Sequence, residues 1–242
     1  MPDPIFAVPR LAEIYDPLDP DRSDLDAYVA LVDELGARFV LDIGCGTGTF
    51  ACLLAERGLD VVAVDPADAS LAVARRKPWA DRVRWLLGDA TSLPPLSVDL
   101  VTMTGNVAQV FLTDDDWLST LRACRAALRR DGQLVFEVRD PAREAWRAWN
   151  REDTRARVDL AGVGTLTHWA EVTDVSDQLV SFRWTFRFEA SGEEITSDST
   201  LRFRRRDEIE ASLDMASLRL LEVRDAPDRP DQEFVFVAER ID

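Results

Sequence analysis

The chain has 242 residues, with 45 Asp and Glu against 29 Lys and Arg for a net charge of −16. That length fits one domain, or one with an elaborated subdomain, and acid spread along all of it repels nucleic acid; the densest basic run, Arg202 with Arg204 to Arg206, reads as a solvated edge or helix approach. Cys45, Cys52 and Cys124 are odd in number and lack metal-ligand spacing, and no signal segment or membrane-length apolar run is found, so the expectation is a cytoplasmic protein without metal, membrane or nucleic acid.

Residues 1–23 are rich in Pro and Asp and predict an extended arm with at most one helical turn around Leu11 to Tyr15. From Asp24 a helical period places Leu25, Tyr28, Val29, Leu31, Val32 and Leu35 on one face, and Gly36 ends it. Phe39 to Ile43 is a short apolar strand with Asp42 near its end, and Gly44, Gly46 and Gly48 follow at once. A strand that stops in glycines and opens into a helix, here marked by Phe50, Leu53 and Leu54, is a ligand cradle. Glycine permits positive φ and has no Cβ to hold a bound molecule off the backbone. Leu59 to Val64 is a continuous apolar run, as in a strand buried on both faces of a parallel sheet, and Asp65 ends it 21 residues after Gly44. An acidic side chain at that point of a βαβ unit accepts hydrogen bonds from both hydroxyls of a ribose.

A helix over Ala67 to Arg76 leads to a third strand, Val83 to Leu87, and the turn Gly88-Asp89-Ala90. Val98 to Thr104 is the fourth strand, ending in Gly105-Asn106; Thr113 to Arg130 is a helix capped by Thr113 with Asp114 to Asp116 at its positive end; Gln133 to Val138 is the fifth strand. Strands alternating with helices, with the ligand loops at the carboxyl ends, specify a doubly wound α/β sheet.

Dinucleotides and S-adenosylmethionine both use such a cradle, and ligand charge separates them. A pyrophosphate wants bare N–H groups and the third glycine of G-x-G-x-x-G, where this chain has Thr49. Asp42 is unfavourable beside a phosphate and favourable beside an ammonium and a sulfonium. The stretch V-L-D-I-G-C-G-T-G closely resembles the first motif of the class I S-adenosylmethionine-dependent methyltransferases. The resemblance is strong over 39–138 and in outline beyond. It implies S-adenosyl-L-methionine as cofactor, with S-adenosyl-L-homocysteine as product, held by Asp42, Gly44, Cys45, Gly46, Gly48, Asp65, Pro66, Asp89, Ala90 and Thr104. Asp89 would receive the adenine amino group, a turn residue capping Thr91 to Leu93 being the alternative, and Tyr15 would lie on an N-terminal lid, for which a disordered tail is the alternative.

Beyond Pro141 the chain changes character. Ala142 to Trp149 predicts a short helix with Trp146 and Trp149 on one side, followed by strands of period two. Val180, Phe182, Trp184, Phe186 and Phe188 point one way and Ser181, Arg183, Thr185 and Arg187 the other, flanked by Leu166 to Thr173 and Ile195 to Phe203, with turn signals at Asp174 to Asp177 and Ser191-Gly192. Asp207 to Leu218 returns to helix, Arg219 to Val223 is a sixth strand and Glu233 to Glu239 an antiparallel last one. The expected architecture is a seven-stranded Rossmann-like sheet with an antiparallel meander inserted after strand five. Its parts are an arm or lid (1–23), a cofactor-binding core (24–141), a helix and meander (142–206) and a closing segment (207–242). In such proteins the insertion often roofs the active site; a homodimer interface or a protective layer are the other readings of its aromatics.

His168, the one histidine, is a candidate base, with a packed or surface residue as the alternative. Asn106, Trp169, Arg183 and Arg187 are candidates for touching the acceptor. The resulting expectation is a methyltransferase acting on O or N of a small molecule. An NAD-dependent oxidoreductase of similar sheet and a non-catalytic cofactor-binding relative are the alternatives.

Overall fold

The computed structural model describes residues 1–241. The chain opens in two helices, Pro4–Ala7 (α1) and Pro9–Leu18 (α2), where composition predicts an extended arm. The prolines explain the difference. Pro4 and Pro9 stand in the first turn, where a missing N–H is no loss and a fixed φ favours the helix. Asp24–Glu34 (α3) follows with the expected inward face of Leu25, Tyr28, Val29, Leu31 and Val32.

Phe39–Ile43 (β1), Asp60–Asp65 (β2), Val83–Leu87 (β3), Val98–Met103 (β4) and Leu128–Arg139 (β5) are the five parallel strands. They alternate with Thr49–Glu56 (α4), Asp68–Ala74 (α5) and Asp114–Ala127 (α6). Thr113 caps α6 as expected, its Oγ1 accepting from Asp116 N–H at 3.1 Å. β5 begins earlier than predicted, at Leu128. Its ladder with β4 jumps from Val98↔Leu128 to Leu100↔Gln133, and the intervening Asp131 has φ 58°, so the early residues form an irregularity that hides the strand from a periodic reading.

After β5, 3-10 turns at Pro141–Arg143 and Ala145–Ala148 and a four-residue helix, Arg151–Thr154 (α7), replace the single predicted helix. Trp146 and Trp149 do share a side, both packing on Phe203 with centroids 4.6 and 6.1 Å away. The meander has four strands, Ala156–Leu160 (β6), Gly164–Ser176 (β7), Leu179–Phe188 (β8) and Glu193–Arg202 (β9), paired antiparallel in that order. The turn between β7 and β8 is Asp177-Gln178, with Asp177 at φ 51°, at the carboxyl end of the predicted turn signal, whose earlier residues continue β7. Arg206–Met215 (α8) then leads to Leu218–Asp225 (β10) and Glu233–Arg240 (β11).

The main sheet runs β10-β11-β5-β4-β1-β2-β3, with β11 antiparallel to both neighbours. Leu41, Ile43, Val101, Met103 and Phe136 face Trp117 and Leu121 of α6 and Ile209 and Leu213 of α8; Val40, Leu100 and Val135 face α3 and α4. Strand order reverses between β1 and β4, so the loops after these two strands open a crevice at the carboxyl edge of the sheet, the place where such folds bind ligands.

The meander turns its aromatic row inward. Phe186 and Phe188 are buried against Leu11 and Ile14 of α2, and Phe182 meets Trp149 at 4.7 Å. Val180, Phe186 and Phe188 of the row are thus covered within the chain, while Phe182 and Trp184 are partly buried. Among the described residues no helix is long and apolar enough to cross a membrane.

Candidate active site

The loop after β1 is built from backbone hydrogen bonds that tie it to β2. The N–H groups of Gly44 and Cys45 both donate to Val64 O (2.8 and 3.2 Å), Gly48 N–H donates to Cys45 O (2.8 Å), and Gly46 N–H donates to Asp65 Oδ2 (2.8 Å). All four are thereby engaged inside the protein, so they do not form a bare cradle for a pyrophosphate. The glycines have different tasks. A Cβ on Gly44 would meet Val107 at 2.5 Å and one on Gly48 would meet Trp85 at 2.5 Å, whereas one on Gly46 would meet nothing within 4 Å. Gly46, at φ 53°, borders open space, where a ligand fits against bare backbone.

Asp42 lies 1% exposed beneath this loop. Its Oδ1 accepts from Thr102 Oγ1 at 3.0 Å, while Oδ2 is buried and has no hydrogen-bond partner. Burial, with the charge of Asp65 adding to it, pushes this carboxyl up to about 7. Asp65 is likewise buried, and desolvation raises its pKa although two N–H groups, of Ala67 (2.8 Å) and Gly46, oppose the shift. Each of its oxygens keeps a second lone pair for a hydroxyl. Locking the glycine loop is a task of Asp65 that position in the sequence does not reveal. Cys45 sits between these carboxylates, and burial together with both charges holds its thiol far above the usual range, so it packs rather than reacts.

The remaining predicted cofactor residues divide. Asp89 caps the 3-10 turn Ala90–Ser92, with Oδ1 accepting from Thr91 N–H (2.9 Å) and Oγ1 (2.6 Å), and is exposed. Ala90 beside it is buried and Pro66 is exposed. Thr104 lies half-buried just beyond β4. Tyr15 is on α2, its ring 5.6 Å from Phe6, its hydroxyl pushed up by burial while the Arg22 and Arg139 charges pull the other way. Its neighbour Asp16, which sequence reasoning missed, fastens α2 to the loop. Asp16 accepts from Thr47 Oγ1 at 2.6 Å and pairs with Lys77 Nζ at 2.7 Å, and Lys77 also donates to Thr49 Oγ1 at 2.5 Å.

Beyond β4, Asn106 adopts φ 61° and is buried. It belongs to a polar cluster at the ends of β5 and β11 that the sequence did not disclose. Glu137 Oε1 accepts from the N–H groups of Gly105 (2.5 Å) and Asn106 (3.0 Å), and Asn106 Nδ2 donates to Glu233 Oε2 at 3.2 Å. Arg139 donates to Gln109 Oε1 at 3.0 Å, stands 3.6 Å from Glu233 and lies over the Trp149 ring at 5.5 Å. Burial, with the nearby charge of Glu233, raises Glu137 to about 7.

The predicted acceptor residues of the meander are only partly on the inward side. His168 opposes Phe186 across β7 and β8 and so shares the aromatic face, half-buried between Trp184 and Phe186; its Nδ1 is buried without a partner, and burial lowers its pKa. Trp169, Arg183 and Arg187 have the opposite parity. Trp169 opposes Thr185 and is covered by Arg151 at 4.2 Å. Arg183 is exposed and paired with Asp198 at 2.6 Å, and Arg187 is exposed with Glu194 at 4.0 Å. These three stand on the face opposite the aromatic row, where Trp169 is buried and both arginines are exposed.

Residues 40–132 match the family model of the methyltransferase domain. Over 119 residues the chain is 34% identical to the cypemycin N-terminal methyltransferase of a Streptomyces species, covering 49% of each protein. The chain spans about half the length of the curated relatives it matches. The solved structure of the CcbJ methyltransferase from Streptomyces caelestis is similar with a TM-score of 0.77 over 96% of both chains, at 23% identity. That of CalS10 with S-adenosylmethionine bound, an amino pentose methyltransferase from Micromonospora echinaspora, gives 0.70 over 92% of this chain and 93% of its own, also at 23% identity. At such identity the likeness is one of fold. The matched domain contains Asp42, the glycine loop, Asp65 and Asp89, so these residues fall in the part of the chain that is similar to a methyltransferase domain, and the fold of the whole chain is similar to that of S-adenosylmethionine-dependent methyltransferases.

Proposed function

We propose that the protein transfers a methyl group from S-adenosyl-L-methionine to an O or N of a small-molecule acceptor. The observation that carries this reading is the pair of buried carboxylates at the glycine loop, Asp42 with an unpartnered oxygen and Asp65, neither joined to a basic side chain among the described residues. A ligand bearing an ammonium and a sulfonium relieves that concentration of negative charge, and a pyrophosphate aggravates it. The NAD reading is disfavoured on the same ground. A small acceptor accords with the acidic surface and with the likeness to an amino pentose methyltransferase.

When bound, the cofactor supplies an electrophilic methyl group on a good leaving group. What remains for the protein is alignment, exclusion of water and handling of the acceptor proton. Asp42 and the open side of Gly46 hold the charged end, and Asp65 offers its spare lone pairs to the ribose hydroxyls. α2 serves as the lid, fastened to the loop through Asp16 and to the meander through Leu11 and Ile14. The inward face of the meander, with Trp184 and His168, roofs the acceptor side, and its burial keeps His168 neutral near pH 7.

Thermal unfolding with and without S-adenosylhomocysteine tests this reading. Wild type is expected to gain stability with ligand concentration, and Asp42→Asn to bind at least tenfold more weakly. Equal affinity of the two proteins would remove Asp42 from the site.

A further inference from the structure

We infer that the methyl acceptor is an amine whose N–H is received by the side-chain carbonyl of Asn106, an inference that rests on the methyltransferase reading above.

Asn106 stands at the carboxyl end of β4, on the border of the crevice, and is held at several points. Its N–H and that of Gly105 donate to Glu137 Oε1, and its Nδ2 donates to Glu233 Oε2 at 3.2 Å. A carboxylate only accepts, so the contact with Glu233 fixes which way the amide is turned. Oδ1 is then buried with no donor, in a residue 6% exposed. A polar atom in that state is rare in a folded protein and asks for a partner from outside the chain.

The chemistry of its surroundings selects that partner. Glu137 and Glu233 are both buried here, and while Glu233 is flanked by Arg229 at 2.8 Å and Arg139 at 3.6 Å, Glu137 forms no ion pair among the described residues. An amine nitrogen forms the new N–C bond with its lone pair as the methyl's bond to its donor breaks, and the nitrogen becomes cationic. Its N–H donates to Oδ1, and a proton then leaves the nitrogen for the Glu137 carboxylate, giving the neutral methylamine. Acceptor oxygens stabilise the positive charge that develops. A hydroxyl acceptor gives up its proton and builds negative charge on oxygen, for which donors are needed. The N–H groups of Gly105 and Asn106, the obvious candidates, are already engaged by Glu137.

The test uses the full chain saturated with S-adenosylhomocysteine, whose affinity is measured first. Calorimetric titration then compares matched pairs: benzylamine and benzyl alcohol, tryptamine and tryptophol, glucosamine and glucose. Incubation with methyl-labelled cofactor follows. In at least one pair the amine is expected to bind tenfold or more tightly than its alcohol and to carry the label on nitrogen. Asn106→Gly, which tolerates the left-handed backbone, should weaken that amine at least tenfold and leave S-adenosylhomocysteine affinity within twofold. Glu137→Gln, which keeps an oxygen for the loop and loses the charge, should slow labelling tenfold with the same cofactor affinity. Label on the alcohol, no preference for the amine in any pair, or unchanged amine affinity in Asn106→Gly would overturn the inference alone. Failure of the wild type to bind S-adenosylhomocysteine would instead overturn the reading beneath it.

Discussion

In the proposed site, Asp42 is a side chain that would serve binding at a cost to folding. Its pKa is raised in the native state to about 7 against an ordinary 3.8, so the folded protein holds this proton more tightly than the unfolded chain. The sign follows: its contribution to stability is favourable below pH 4 and is lost as pH rises through 7. Asp42→Asn is therefore expected to stabilise the cofactor-free protein by about 2–4 kcal/mol at pH 8 and by little at pH 4; denaturant titrations at both values would check it, and a destabilised variant at pH 8 would contradict it. Gly46→Val fills the open side of the loop. The left-handed backbone costs roughly 1–2 kcal/mol, and cofactor affinity should fall at least 100-fold while circular dichroism stays native; retained affinity would place the ligand elsewhere. The gathering of Asp42, the glycines and Asp65 at one loop was legible because their spacing from strand ends is a backbone property. The face taken by Trp169, Arg183 and Arg187 was not legible, because period two divides a strand into faces without saying which one is buried. The cluster of Glu137, Arg139 and Glu233 was invisible since its members come from β5 and β11, nearly a hundred residues apart, and only the sheet order makes them neighbours.

At the scale of elements, the N-terminal helices are the main departure from expectation. Pro read as a breaker becomes a helix starter once it falls in a first turn, and the apolar partners that stabilise α2 are more than 140 residues away in β7 and β8. Local composition cannot report such packing. β1 and β3 were legible to the residue because an apolar run between turns has clear ends. β6 was missed although Val158 and Leu160 alternate with exposed Arg157 and Asp159, a signal too short to separate from a loop. Asp16 is the joint between α2 and the glycine loop. Asp16→Ala is expected to remove a partly buried ion pair and the Thr47 contact, together worth on the order of 1–2 kcal/mol locally. Hydrogen exchange should then quicken in α2 and not in β1 or β4; unchanged protection of α2 would show that Leu11 and Ile14 alone hold it.

For the whole molecule, the two sheets divide the work. The doubly wound sheet brings the proposed cofactor residues to one edge by topology, and the meander, packed on α2 and through Phe182 on Trp149, is the proposed roof of the acceptor side. The loop hydrogen bonds and the buried carboxylates make one central claim: this crevice takes a cationic sulfonium ligand and not a dinucleotide. Calorimetric titration of the chain with S-adenosylmethionine, S-adenosylhomocysteine and NAD in parallel tests it most directly. Micromolar binding of the first two with no heat from NAD is the expected result; binding of NAD alone would contradict the claim.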